Sequence, residues 1–213
     1  MIRVKVCGLY DPSNVKEVVE AKPDFIGFIY YPLSPRYVGK ENGKGIFQNL
    51  QAESKKVGVF INETMKKILE TASGANLDII QLHGNESPEL CSELKSSGLE
   101  VIKAFSIDMD FSFKSTRQYL PVCDYFLFDT KSEKAGGSGR KFDWKKLDDY
   151  SFDKPFFLSG GIGPEDTSEI KTIGNKGLFA VDINSRFETA PGIKDASLVS
   201  AFIKELKMIG YDL

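Results

Sequence analysis

Phe25-Ile26-Gly27-Phe28-Ile29 and Tyr125-Phe126-Leu127-Phe128 decide the fold. Both runs are apolar without a break, so neither offers a polar face to water. A strand with one wet face alternates apolar and polar residues. A strand buried on both faces reads as these two do, which is the habit of parallel sheets covered by helices. Apolar runs also occur at residues 2–6, 56–61, 78–82, 100–105, 155–158 and 178–181, and the second run extends over 24–29.

The stretches between the runs carry helix signals. Asp11 is placed to cap a helix reaching about Ala21. Asn62 is placed to cap a second, in which Met65, Ile68, Leu69 and Ala72 follow a 3.6-residue period. Further helices are expected over 44–51, 88–96, 113–119, 143–150 and 194–209, and Pro164 suits the first turn of another. Eight strand–helix units predict an α/β chain closed into a (β/α)8 barrel, one catalytic domain spanning 1–213. A doubly wound open sheet is the alternative. Two features favour the barrel: no dinucleotide-type glycine fingerprint follows the first run, and polar or glycine-rich positions follow many runs instead of gathering at one switch point. At 213 residues, the chain is shorter than the usual ~250 for this barrel, so its helices and loops must be lean.

Composition excludes several functions. Hydrophobic residues make up 41% of the chain, as in ordinary soluble domains. A net charge of -2 gives no basic footprint for nucleic acid. No run approaches membrane-spanning length, and no secretory signal pattern opens the chain. Cys7, Cys91 and Cys123 are odd in number and lack metal-type spacing, which points to a reducing cytoplasm and no metal. The single histidine, His83, argues against a histidine-centred triad. The expected partner is a small molecule, and monomer and homodimer both stay open.

In such a barrel, chemistry sits at the C-terminal ends of the strands. Read in order, those ends offer Cys7, a loop with Arg36, Gln81 and His83, Asp129, Gly160-Gly161, and Asp182 followed by Asn184-Ser185. Glycines after the seventh strand and polar residues after the eighth suit phosphate binding through backbone N–H groups, although two glycines also make a plain tight turn. Gly136, Gly137, Ser138 and Gly139 could add amides or form a lid. Asp129 at an apolar mouth suits a general acid, or caps its own loop. Cys7 is a base only as thiolate, and Lys5, two residues earlier on the same face, could favour that form; otherwise it is an inert buried thiol. Arg36, in a loop stiffened by Pro32 and Pro35, could clamp a carboxylate or lie on the surface. Gln81 and His83 suit a structural role better than a chemical one, and Cys91 and Cys123 a packing role.

The ordered set Lys5-Val6-Cys7-Gly8, Ser34-Pro35-Arg36, Gln81-Leu82-His83-Gly84, Asp129-Thr130, Gly136 through Trp144, Leu158-Ser159-Gly160-Gly161-Ile162, Val181 through Ser185, and Pro191-Gly192-Ile193-Lys194-Asp195 resembles the phosphoribosylanthranilate isomerases of tryptophan biosynthesis. Each piece is weak alone; their order covers essentially the whole chain. The resemblance implies a cofactor-free Amadori rearrangement of N-(5-phosphoribosyl)anthranilate to 1-(2-carboxyphenylamino)-1-deoxyribulose 5-phosphate. It places the general acid at Asp129, the general base at Cys7 and an anthranilate-holding role at Arg36. Asp182 would hold the sugar or the acid–base geometry, and Gly137, Ser138, Gly160, Gly161, Asn184 and Ser185 would form the phosphate site. Arg186-Phe187 departs from the small pair the family shows there, so Arg186 either contacts the phosphate or turns outward. Indole-glycerol-phosphate synthase is the neighbouring alternative, without an evident paired-carboxylate pattern here. A catalytically dead ligand-binding barrel is another, and the joint presence of Cys7 and Asp129 argues against it.

Overall fold

The computed structural model describes residues 1–39, 46, 53–131 and 141–207. Its strands are β1 (Arg3–Val6), β2 (Phe25–Ile29), β3 (Lys55–Phe60), β4 (Ile79–Leu82), β5 (Glu100–Ile107), β6 (Tyr125–Thr130), β7 (Phe156–Leu158) and β8 (Leu178–Ile183). Each pairs in parallel with the next, and β8 closes on β1. The barrel reading therefore holds over the open sheet.

Around it stand α1 (Pro12–Glu20), α2 (Met65–Ala75), α3 (Pro88–Ser96), α4 (Thr167–Thr172) and α5 (Ala196–Lys207). The connections after β5 and β6 are 3-10 turns at Phe113–Tyr119 and Trp144–Asp149, shorter and tighter than α-helices. The helix expected over 44–51 lies outside the described residues, apart from Ile46, which is helical and buried.

One expected cap and one expected helix start are corrected. Asp11 does cap α1, its Oδ1 accepting from Asn14 N at 2.8 Å. Asn62 does not cap α2; Thr64 does, through Lys67 N. Asn62 instead sits at φ 50°, and its Oδ1 accepts from Asn85 N at 2.7 Å, tying together the loops after β3 and β4. The last helix starts at Ala196, not Lys194, because Asp195 Oδ1 accepts from Leu198 N at 3.0 Å and marks the boundary. Lys194 belongs to β10 (Ile193–Lys194), which pairs antiparallel with β9 (Glu188–Ala190).

Strand periodicity divides the core in two. Val4, Ile26, Phe28, Phe60, Ile80, Leu82, Phe126, Phe128, Leu158 and Val181 face outward and pack under the helices. Phe25, Val57, Ile79, Ile102, Ala104, Leu127, Phe157 and Ala180 fill the barrel interior. Residues i and i+2 share a face. Stepping two residues up from Ile79, Leu127, Phe157 and Ala180 therefore reaches Gln81, Asp129, Ser159 and Asp182. From Lys5 the same step reaches Cys7. A layer of polar groups thus caps the apolar plug at the C-terminal mouth, where strand direction alone placed it.

Candidate active site

That mouth opens into a cavity of about 660 Å³. It is lined by Cys7, Asp129, Gly160, Gly161, Asp182, Asn184 and Ser185, so seven of the ten predicted site residues converge. Gly137 and Ser138 lie outside the described residues. Arg36 does not line the cavity; its head is held just outside.

Cys7 is buried on the floor of this cavity. Lys5, fully buried beneath it, points Nζ at Asp182 Oδ2, 2.9 Å away. Burial works against the Lys5 ammonium, but Asp182 and Cys7 outweigh it and hold the amine above its ordinary range. Burial likewise pushes the Asp182 carboxyl up, with Lys5 opposing. A buried ammonium requires a counter-charge, so the pair is ionised at neutral pH. Burial pushes the Cys7 thiol up as well; Lys5 pulls it down, and Asp182 pushes it up again. Lys5 is therefore correctly placed but already paired with Asp182, and burial keeps Cys7 a thiol.

Room for the sulfur comes from Gly27 on β2. A Cβ there would stand 2.8 Å from Cys7 Sγ and 3.1 Å from Lys5 Cε. Across the mouth, Asp129 Oδ1 accepts from Thr130 N at 2.9 Å, the local cap foreseen as its bland role. Its Oδ2 is engaged by His83 Nε2 at 3.2 Å, and His83 Nδ1 lies 2.8 Å from Gln81 Nε2. Gln81 and His83 both line the cavity, so they belong to the site as well as to its scaffold.

After β7 the backbone turns through φ +95° at Gly160 and φ 68° at Gly161. A Cβ at Gly160 would also meet Thr130 Oγ1 at 2.3 Å, so glycine is required there on both counts. After β8, Asn184 and Ser185 face the same side of the cavity. Arg186 turns outward and pairs with Glu165 at 2.5 Å, while Phe187 is buried against Phe202. The bulky pair therefore leaves the cavity lining to Asn184 and Ser185.

Arg36 forms a two-pronged contact with Glu188: Nε to Oε1 at 2.8 Å and Nη2 to Oε2 at 2.7 Å. Lys194 Nζ adds bonds to Glu188 Oε1 at 2.5 Å and to Asn184 Oδ1 at 2.6 Å. Glu188 and Lys194 are opposite each other on β9 and β10. Neither was singled out from sequence; their six-residue spacing across Pro191-Gly192 is a hairpin signal that could have paired them. A further buried ion pair, Lys103–Glu86 at 3.1 Å, braces the loop after β4, with Lys103 also donating to Gly84 O at 2.7 Å.

The profile of the N-(5'phosphoribosyl)anthranilate (PRA) isomerase family matches residues 4–205. The chain belongs to this family. An N-(5'-phosphoribosyl)anthranilate isomerase of Parabacteroides distasonis is 44% identical over 95% of this chain and 92% of its own. The crystal structure of the Thermotoga maritima phosphoribosyl anthranilate isomerase superposes with a TM-score of 0.85 at 36% identity, covering 98% of this chain and 100% of that one. Another solved member of the family is in complex with reduced 1-(o-carboxyphenylamino)-1-deoxyribulose 5-phosphate; it matches with a TM-score of 0.84 at 33% identity, over 98% and 100% of the two chains. The family expectation from the ordered motifs is thus confirmed. Among these similar structures, a further Thermotoga maritima one contains monomers generated from a dimeric isomerase. In the present chain, no described helix is long and apolar enough to cross a membrane.

Proposed function

We propose that this barrel, as one catalytic domain, performs the Amadori rearrangement of N-(5-phosphoribosyl)anthranilate in the cytoplasm, with Asp129 as general acid and Cys7 as general base. The observation that carries the reading is the convergence of Cys7 from β1 and Asp129 from β6 on one cavity that also holds the loops after β7 and β8. An acid and a base that open onto one cavity can act on one sugar ring.

Asp129 gives its proton to the ribose ring oxygen. The C1–O bond breaks with its electrons on oxygen, and the anthranilate nitrogen lone pair forms a C=N iminium. That cation acidifies the C2–H. Cys7 takes the C2 proton, the freed electrons form the enolamine, and tautomerisation gives the C2 ketone. The thiol must first lose its own proton to water. Lys5 favours that loss, and the iminium, a positive charge beside the sulfur, adds to it. The thiol that burial holds high is thus lowered by the positive charge that forms beside it.

Gly160, Gly161, Asn184 and Ser185, with Gly137 and Ser138, bind the phosphate through backbone N–H and side-chain groups. Asp182 accepts from a sugar hydroxyl: its Oδ1 is buried with no hydrogen-bond partner among the described residues. Arg36 offers the anthranilate carboxylate the N–H donors that Glu188 leaves open.

The test is turnover of N-(5-phosphoribosyl)anthranilate by the purified protein, followed by loss of anthranilate fluorescence. The reading predicts catalytic consumption, inhibited competitively by the reduced product. Binding of that analogue without turnover would support a dead barrel instead.

A further inference from the structure

Gln81 is almost wholly buried at the barrel mouth, and its side chain is spent on one contact, Nε2 to His83 Nδ1 at 2.8 Å. Its Oε1 is buried with no hydrogen-bond partner among the described residues. An amide nitrogen only donates, so His83 Nδ1 must accept and the neutral ring must carry its proton on Nε2. Nε2 faces Asp129 Oδ2 at 3.2 Å. A donor there fixes the orientation of the carboxyl oxygen it faces.

Resting on Asp129 as the general acid, we propose that Gln81 sets the tautomer of His83, and that His83 is the positioning residue of the acid. Its Nε2–H holds Oδ2 while Thr130 N holds Oδ1, which fixes the carboxyl plane. The same N–H stabilises the carboxylate left behind when Asp129 passes its proton to the ring oxygen. His83 itself exchanges no proton with substrate. Gln81 is the longer-range partner: losing its amide frees the ring to place its proton on Nδ1, which turns a lone pair toward Asp129 and withdraws the donor. This assigns a catalytic consequence to two residues that sequence alone makes structural.

His83 is the single histidine of the chain, so nitrogen-15 labelling of histidine gives one imidazole to read. The expected spectrum of the wild-type protein has one protonated and one unprotonated ring nitrogen, with the proton on Nε2. Gln81→Leu should yield a mixture of tautomers. His83→Leu should lower kcat about tenfold with KM little changed, as expected for loss of one hydrogen bond to a charged group. His83→Gln, which keeps an N–H near the Nε2 position, should restore most of the rate. In an Asp129→Asn background, His83→Leu should cost nothing further. A wild-type proton on Nδ1, or a wild-type kcat in His83→Leu, would overturn the proposal. Full turnover in Asp129→Asn would instead remove the acid assignment while leaving the tautomer result standing.

Discussion

Lys5 and Asp182 are register partners on β1 and β8, and their side chains meet at 2.9 Å inside the barrel directly below Cys7. One cation is thereby shared between a carboxylate and a thiol. Burial holds the Cys7 thiol above its ordinary range, with Lys5 pulling it down and Asp182 pushing it up. Asp182→Asn removes the competitor and leaves Lys5 to Cys7 alone, so the thiol should ionise at lower pH than in the wild type. Lys5→Met should move it higher. The pH dependence of Cys7 alkylation, read by mass spectrometry at that one residue, measures both shifts. Either single substitution strands a buried charge and should cost about 3–5 kcal/mol of stability, whereas the double substitution Lys5→Met with Asp182→Asn should cost less than the sum. Urea titration of the three variants checks this.

Gly27→Ala should injure catalysis without replacing any polar side chain. Its methyl would press on Cys7 Sγ and Lys5 Cε at 2.8 and 3.1 Å. Overpacking of this kind costs about 1–3 kcal/mol. A displaced base should lower kcat by up to roughly 10²-fold, since misplacement by about an ångström has that effect. Steady-state kinetics beside a thermal melt separate the two consequences.

Glu188 makes a pH-dependent contribution to stability. Burial pushes its carboxyl up, but Arg36 and Lys194 outweigh burial and hold it below the ordinary carboxylate range. The folded pKa is depressed, so the stabilisation is present above the unfolded value of about 4.3 and is lost as pH falls through the folded value. Glu188→Gln leaves Arg36 and Lys194 without their counter-charge and should cost about 3–5 kcal/mol at neutral pH. The difference in unfolding free energy between the two proteins should shrink toward low pH. A difference that stays constant down to pH ~2 would contradict the linkage.

The barrel was legible because its signal is repeated. All eight apolar runs became strands, and their period-two faces already put Lys5 with Cys7 and Asp129 above Leu127. Helix boundaries were less legible: Asn62 reads as a cap, but its Oδ1 is taken by Asn85, 23 residues away, and Thr64 caps the helix instead. Lys194 reads as helical from local sequence, yet its pairing with Glu188 makes it a strand residue. Arg36 reads as a free clamp because its partner, Glu188, is 152 residues distant. His83 and Gln81 lost their chemical reading for the same reason: the contact with Asp129 spans two strand-ends that sequence does not align. What local pattern carries was visible; what non-local hydrogen bonds decide was not.

Asp129 and Cys7 are proposed to act as acid and base on one bound sugar. The most direct test compares turnover of N-(5-phosphoribosyl)anthranilate by the wild type, Cys7→Ser and Asp129→Asn, each checked for retained binding of the reduced product. Both variants should bind the analogue, and each should lose a factor of roughly 10²–10⁴ in kcat, the usual worth of a positioned acid or base. Wild-type turnover in either variant would contradict it.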